Sequence, residues 1–199
     1  MKYYIVKYSG PFGFIKPWTA VRDTETFSQQ FLTPSIVGGI ERKLFPGLLN
    51  KPFGFYKIKG HRLSYSQMTS QQEQIQPRGW NKRKVNKRSA YVREYAILTR
   101  SVLLHPILHL AFDNRQDAEI AAQQHICLCR NEDILYPASE DPVSISIEDF
   151  NSNGEDFNGF ELVFEKNEKS FLVGYNRLDN GSPMYGWLRV VGNPINTLQ

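Results

Sequence analysis

The residues with the greatest capacity for chemistry are few. His61 is flanked by Lys57, Lys59 and Tyr65, a set that offers general acid and base groups able to move protons without a metal. Only four histidines occur in 199 residues. His105 and His109 fall in the apolar stretch VLLHPILHLAF (102–112), where a hydrogen-bonded core role is expected. Glu148-Asp149 and Glu155-Asp156 are adjacent acids on an Asn/Gly-rich segment, the pattern of solvated turns and not of a metal nuclease. Cys127 and Cys129, the only cysteines, alternate onto one face of a strand. They are too close for a comfortable disulfide and lack further ligands at metal spacing, so two buried thiols are expected. G-x-x-x-x-G-K-[ST], G-x-S-x-G and C-x-x-C are absent. No catalytic residue, metal ligand or cofactor is expected from these residues.

Charge is more informative. The formal net charge of +4 hides a balance of +10 over residues 51–100 (12 Lys and Arg, 2 acids) and −10 over 113–170 (4 against 14). A basic segment of that density tracks nucleic-acid phosphates, whereas the acidic one faces solvent or a basic protein partner. The cations concentrate in RGWNKRKVNKR, where Arg78, Lys82, Arg83, Lys84, Lys87 and Arg88 surround Trp80. A charge run is ordinarily a solvated face, and here the central position and the interleaved tryptophan leave nucleic-acid contact as the alternative, one that a family resemblance favours.

The elements that must position these residues begin with Lys2–Tyr8, whose alternation with two apolar faces predicts a central strand. A long connection from Gly10 to Leu32 carries Lys16, Trp18 and Arg22. The two cations suit phosphate, and Trp18 suits either a base-stacking surface or a core or subunit interface. Thr33 before Pro34 is an N-cap followed by proline at the first helical position, predicting a helix from Pro34 to Phe45. Gly38 and Gly39 inside it cost about 2 kcal/mol together relative to alanine. Close approach of another backbone, from a neighbouring strand or a nucleotide, is the simplest demand that offsets this.

Strands are expected over Pro52–Leu63 and Ser89–Arg100, bracketing a polar finger at about 64–90. Pro106 should break or bulge the next apolar strand. Asn114 caps a helix from Arg115 to about Gln124. The resulting order β, α, β, β, α, β is ferredoxin-like. From Pro137 onward, short alternating strands predict an all-β extension. The expected class is therefore α+β, with a core over 1–136 and a β-rich extension over 137–199. Length and composition suit one domain with elaborations, and the polar N-terminus argues against a signal peptide, placing the protein in the cytoplasm with no membrane contact.

The segment SGPFGFIKPWTAVRDTETFSQQFLTPSIVGGI (9–40) resembles the N-terminal half of the fifth CRISPR-associated protein family, Cas-five, of the RAMP superfamily in type I Cascade complexes. Tyr91–Leu98 (YVREYAIL) is similar to the Arg-Glu-Tyr strand that follows that family's mobile hairpin. ICLCRNED (126–133) resembles its strand ending in Gly-Arg, with Cys129 where glycine is usual. A type I-B-like subtype is among those the resemblance leaves open.

The resemblance implies an RRM-like core with a protruding basic hairpin, and a non-catalytic subunit that binds the 5′ handle of the guide RNA and caps one end of the effector. Its partners would be guide RNA, target DNA through the complex, backbone (Cas-seven-like) and large (Cas-eight-like) subunits, and a nuclease-helicase or transposition machinery. The residues assigned to RNA are Lys16, Trp18, Arg22, Thr33, Ser35, Gly38, Gly39, Arg42, Arg78, Trp80, Lys82, Arg83, Lys84, Lys87, Arg88 and Arg93. Some members of the family cleave precursor RNA without metal, which makes His61 the centre of an alternative endoribonuclease reading. A scaffold protein that binds only protein is a third.

Overall fold

The computed structural model describes residues 1–17, 25–52, 54–75, 79–85, 88–93, 96–176 and 179–196. Its architecture is α+β and rich in antiparallel strands. In chain order the elements are β1 (Lys2–Ser9), β2 (Phe12–Gly13), β3 (Glu25–Phe27), α1 (Pro34–Leu44), a 3-10 turn (Pro46–Leu48), β4 (Ile58–Ser64), β5 (Gln67–Ile75), β6 (Asn81–Val85), β7 (Arg88–Val92), β8 (Ala96–Leu104), β9 (Ile107–Phe112), α2 (Arg115–Ala122), β10 (Ile126–Cys127), β11 (Ile134–Pro137), β12 (Val143–Ser146), α3 (Ile147–Ser152), β13 (Gly159–Val163), β14 (Phe171–Asn176) and β15 (Ser182–Val191). The main sheet runs β10-β11-β1-β9-β4-β13-β15-β14, with β12 also paired to β1.

β1 lies inside this sheet because both of its faces can be buried. Val6 and Tyr8 join Val37, Leu44, Leu110 and Ala121 in the larger core, under α1 and α2. The Tyr8 hydroxyl donates to the Ala121 carbonyl at 2.7 Å, satisfying a phenol that burial would otherwise penalise. On the opposite face Ile5 and Ala111 are covered by Phe150 and Phe157, which α3 and the segment after it supply. The acids near them serve local structure: the Ser146 hydroxyl accepts from the Asp149 N–H and donates to its carboxylate, a cap for α3.

β4 and β9 leave the main sheet still paired and continue as β5 and β8. Leu63 faces Leu108, Gln67 faces Leu104 and Ile75 faces Ala96, so the register does not slip on the way out. β6 and β7 then form a two-stranded tip. Pro106 sits at the junction as its chemistry demands: β8 ends at Leu104, His105 takes a left-handed φ of 46°, and β9 begins at Ile107. The hairpin expected near 64–90 is thus longer than its polar sequence suggests, because β4 and β9 are its continuation.

The C-terminal strands join the β4 edge through a single registered pair, Phe160 with Leu63. Beside it, side chains replace the ladder. The Glu161 carboxylate accepts from the His61 N–H at 3.0 Å, and the Arg62 guanidinium donates to the His61 carbonyl at 2.9 Å. Arg62 is fully buried, ion-paired to Glu161, bonded to the Asn151 side-chain oxygen at 3.0 Å and stacked over Phe150 at 4.5 Å. Arg189 of β15 reaches the same carboxylate at 3.2 Å. Removing one member of a buried pair leaves a charge with no water to solvate it. Glu161→Leu is therefore expected to cost about 3–5 kcal/mol in chemical unfolding. The Arg62→Met/Glu161→Leu double variant should recover most of that loss, and additive losses in the cycle would contradict this account.

Candidate nucleic-acid interface

Two surfaces gather the residues singled out by sequence. The first lies on α1. Thr33 is the N-cap with extended backbone angles and Pro34 follows at the first helical position. The Thr33 hydroxyl makes no capping bond, pairing instead with the Ser35 hydroxyl at 3.1 Å, and Thr33 itself is buried. Glu41, wholly buried in the same helix, accepts from the backbone N–H groups of Tyr56, Lys57 and Ile58 at 2.9, 2.6 and 2.9 Å. One carboxylate thereby fixes the helix against the chain entering β4. Arg42 donates to the Gly38 carbonyl at 3.2 Å and to the Pro52 carbonyl at 3.3 Å, which ties it to the same joint.

Ser35, Gly39 and Lys43 recur every four residues and so share a helix face. That face borders a groove of about 480 Å³, closed on the other side by Ile126, Cys127, Leu128, Cys129 and Asn131. A Cβ built at Gly39 meets nothing within 4 Å. A neighbouring strand of this chain therefore does not account for Gly39, whereas Gly38 is buried. Gly13 shows the contrasting use of the residue: a Cβ there would lie 2.5 Å from a Leu128 methyl, so the first connection packs directly on the groove wall. Sequence reasoning missed Lys43 and Asn131 here, although the four-residue spacing from Ser35 marks Lys43. The expectation of two buried thiols is corrected. β10 stops at Cys127, and beyond it the chain turns, leaving Cys127 partly accessible and Cys129 exposed on the groove.

The second surface is the hairpin tip. Lys82 faces Tyr91 and Lys84 faces Ser89, and the Arg93 guanidinium stacks over the Trp80 ring at 5.2 Å. Alternation puts Trp80, Lys82 and Lys84 on one face with Tyr91, and Arg83 with Arg88 on the other. Trp80 and Tyr91 are 61% and 68% exposed, enough to offer ring faces to a stacking partner. Lys16 is exposed on the first connection. Trp18, Arg22, Arg78 and Lys87 lie outside the described residues, as do Glu94 and Tyr95 of the YVREYAIL segment.

The arm and the groove meet at Phe14. Arg100 of β8 stacks on its ring at 5.1 Å and Arg130, from the groove wall, at 5.3 Å. Arg100 is held by Glu73 of β5 at 2.7 Å, and Arg130 by Asp133 at 2.6 Å. The Asp133 bond raises the Arg130 pKa further, so this cation is permanent.

The groups that flank His61 are paired within the chain, while the buried His61 Nε2 has no hydrogen-bond partner among the described residues and borders a pocket shared with Lys59 and Glu161. His61 is 3% exposed, and burial pushes its pKa down to about 4, with Glu161 opposing and Arg62 reinforcing the shift. The Lys57 ammonium pairs with Asp117, Lys59 with Asp113 at 3.3 Å, and the Tyr65 hydroxyl donates to the Gln30 side-chain oxygen at 2.9 Å. His109 is likewise held near 4 by burial, with Lys7 and Arg62 lowering it and Asp156 raising it. Among the described residues no group of three or more His, Cys, Asp and Glu side chains forms a candidate metal site, and no helix is long and apolar enough to cross a membrane.

No protein-family model matches the sequence, and no curated protein sequence matches it. Among solved structures, the chain is similar to one described as a CRISPR RNA-guided surveillance complex, with a TM-score of 0.56 and 12% identity over 96% of this chain and 91% of that one. At that identity the likeness is one of fold.

Two outcomes follow from this geometry. Gly39→Ala should raise the stability of the free protein by about 1 kcal/mol, since helix propensity improves and nothing is struck. A lowered melting temperature would show an internal contact at that position. Both buried imidazoles titrate near 4 in the fold against 6.5 when unfolded, so the unfolded chain gains protons first as pH falls. Their contribution is complete above pH 6.5 and is lost progressively toward pH 4. A melting-temperature profile should fall across that window and flatten in His61→Gln and in His109→Gln.

Proposed function

We propose that this chain is a non-catalytic RNA-binding subunit of a CRISPR effector complex. It holds the 5′ handle of the guide RNA between α1 and residues 126–131, and lays the cationic hairpin tip along phosphates. The observation that carries the reading is Gly39: a helix tolerates a glycine on its open face at a cost, and here the space it leaves belongs to a groove large enough for a nucleotide backbone. The fold likeness to a chain of an RNA-guided surveillance complex supports it. So does the sheet order β11-β1-β9-β4 with α1 and α2 on one face, which is the order of a ferredoxin-like core and the basis for reading residues 1–136 as an RRM-like unit with 137–199 as its extension.

As a terminal subunit the protein would cap one end of the complex. It would contact Cas-seven-like and Cas-eight-like subunits and meet target DNA only through the RNA-guided assembly. The non-catalytic assignment draws on His61, which is neutral at physiological pH and enclosed, unlike a base poised near 7.

The test is purified protein with unprocessed repeat RNA in EDTA. Binding without cleavage is expected, and His61→Gln should leave binding unchanged. Cleavage lost in that variant would replace this reading with the endoribonuclease, and absence of binding would leave a protein-only scaffold. Each tip residue on phosphate contributes about 0.7 to the slope of log affinity against log salt for a single strand. Replacing Lys82, Arg83, Lys84 and Arg88 by alanine should flatten that slope by about 2 to 3, and an unchanged slope would remove the tip from the RNA site.

A further inference from the structure

We infer that the outer edge of β5 pairs with β5 of a second copy, making a twofold-symmetric dimer of the RNA-free protein. β5, QMTSQQEQI, runs for nine residues, and among the described residues only β8 pairs with it, on one side. Its register from Gln67–Leu104 to Ile75–Ala96 contains no bulge. It carries no lysine, arginine or proline. Proteins blunt exposed edges with such residues, with bulges or with short strands, because an open row of N–H and C=O groups recruits another strand. This chain uses those devices at the ends of its main sheet. β14 is irregular between Leu172 and Gly174, and β10 has two residues. β5 has none of them, so its edge is competent for strand addition.

The strand's own sequence fits as occupant. In an antiparallel pairing about Gln71, Ser70 lies opposite Gln72 of the partner subunit, Thr69 opposite the partner's Glu73, and Met68 opposite the partner's Gln74. No like charges meet, and the single acid, Glu73, is already bonded to Arg100. Such self-complementarity is what an isologous twofold interface requires. A polyanion finds no cation on β5, since the tip strands carry Lys82, Arg83, Lys84 and Arg88 instead. In the pair the two Ile75 ends, from which the chains continue toward the cationic strands, lie at opposite ends of a ladder about 30 Å long, beyond screening distance at physiological salt.

Sedimentation of the full chain without RNA over a range of concentrations tests this. A reversible monomer–dimer equilibrium is expected. Ser70 and Gln72 are both exposed, so Ser70→Lys/Gln72→Lys should fold with an unchanged melting temperature while weakening the dimer about tenfold, because lysines then oppose lysines across the axis. Ser70→Glu/Gln72→Glu should do the same. An equimolar mixture of the two variants should restore association as a mixed dimer. A monomer at every concentration, a dimer indifferent to both double variants, or a mixture that stays monomeric would each overturn the inference.

Discussion

The register that β4/β9 and β5/β8 share from Gly60–Ala111 outward is the constraint on which the direction of the hairpin rests. The constant offset from Gly60–Ala111 to Ile75–Ala96 carries the direction of β4 and β9 into β5 and β8. The root is aimed at the junction between Tyr65–Ser66 and His105–Pro106. Here proline removes a donor, and other groups supply the bonds. The Ser66 hydroxyl donates to the Leu104 carbonyl at 3.1 Å and lies 3.1 Å from His105 Nδ1. The backbone of Tyr65 is taken by the C-terminal segment, its N–H by the Pro194 carbonyl at 3.0 Å and its carbonyl by the Asn196 N–H at 2.9 Å. Residues at the far end of the sequence therefore set the direction of an arm encoded in its middle.

A second joint works by charge. Glu41 on α1 gathers three backbone N–H groups at the entry to β4, giving the carboxylate the donors that water would have provided. The helix is then fixed relative to β4, the strand that continues as β5, so the groove beside Ser35 and Gly39 is tied to the root of the hairpin. Phe14, between Arg100 and Arg130, links the arm to the opposite wall of the groove in the same way.

Local chemistry was legible in the sequence and long-range pairing was not. Thr33-Pro34 marks the start of α1, Asn114 caps α2 through a 2.9 Å bond from the Gln116 N–H, and Pro106 marks the junction, because each acts within a few residues of itself. Nothing near Glu41 or Glu161 in the sequence marks their roles, since their partners lie about 15 and 100 positions away. Cys129 was misplaced because alternation was extended past the end of a two-residue strand. The cationic tip was visible from composition, but the apolar β4 and β9 that carry it outward look like any core strands.

The face of the sheet opposite α1 and α2 decides where RNA contact is to be sought. An open four-stranded sheet reads single-stranded RNA by stacking bases on its exposed aromatic side chains. In this protein the corresponding aromatic surface is already stacked on the chain itself. Tyr3 meets Phe150 edge-on at 5.8 Å, His109 meets Phe157 at 5.5 Å, and Arg62 is buried over Phe150 beside its acid. Uncovering that face would expose a paired internal guanidinium and the smaller apolar core together, a loss that base stacking at about 1–3 kcal/mol per base does not offset. The proposed contacts therefore fall on the helix side, where Gly39 leaves room, and on the arm, where Trp80 and Tyr91 stay largely exposed beside lysine.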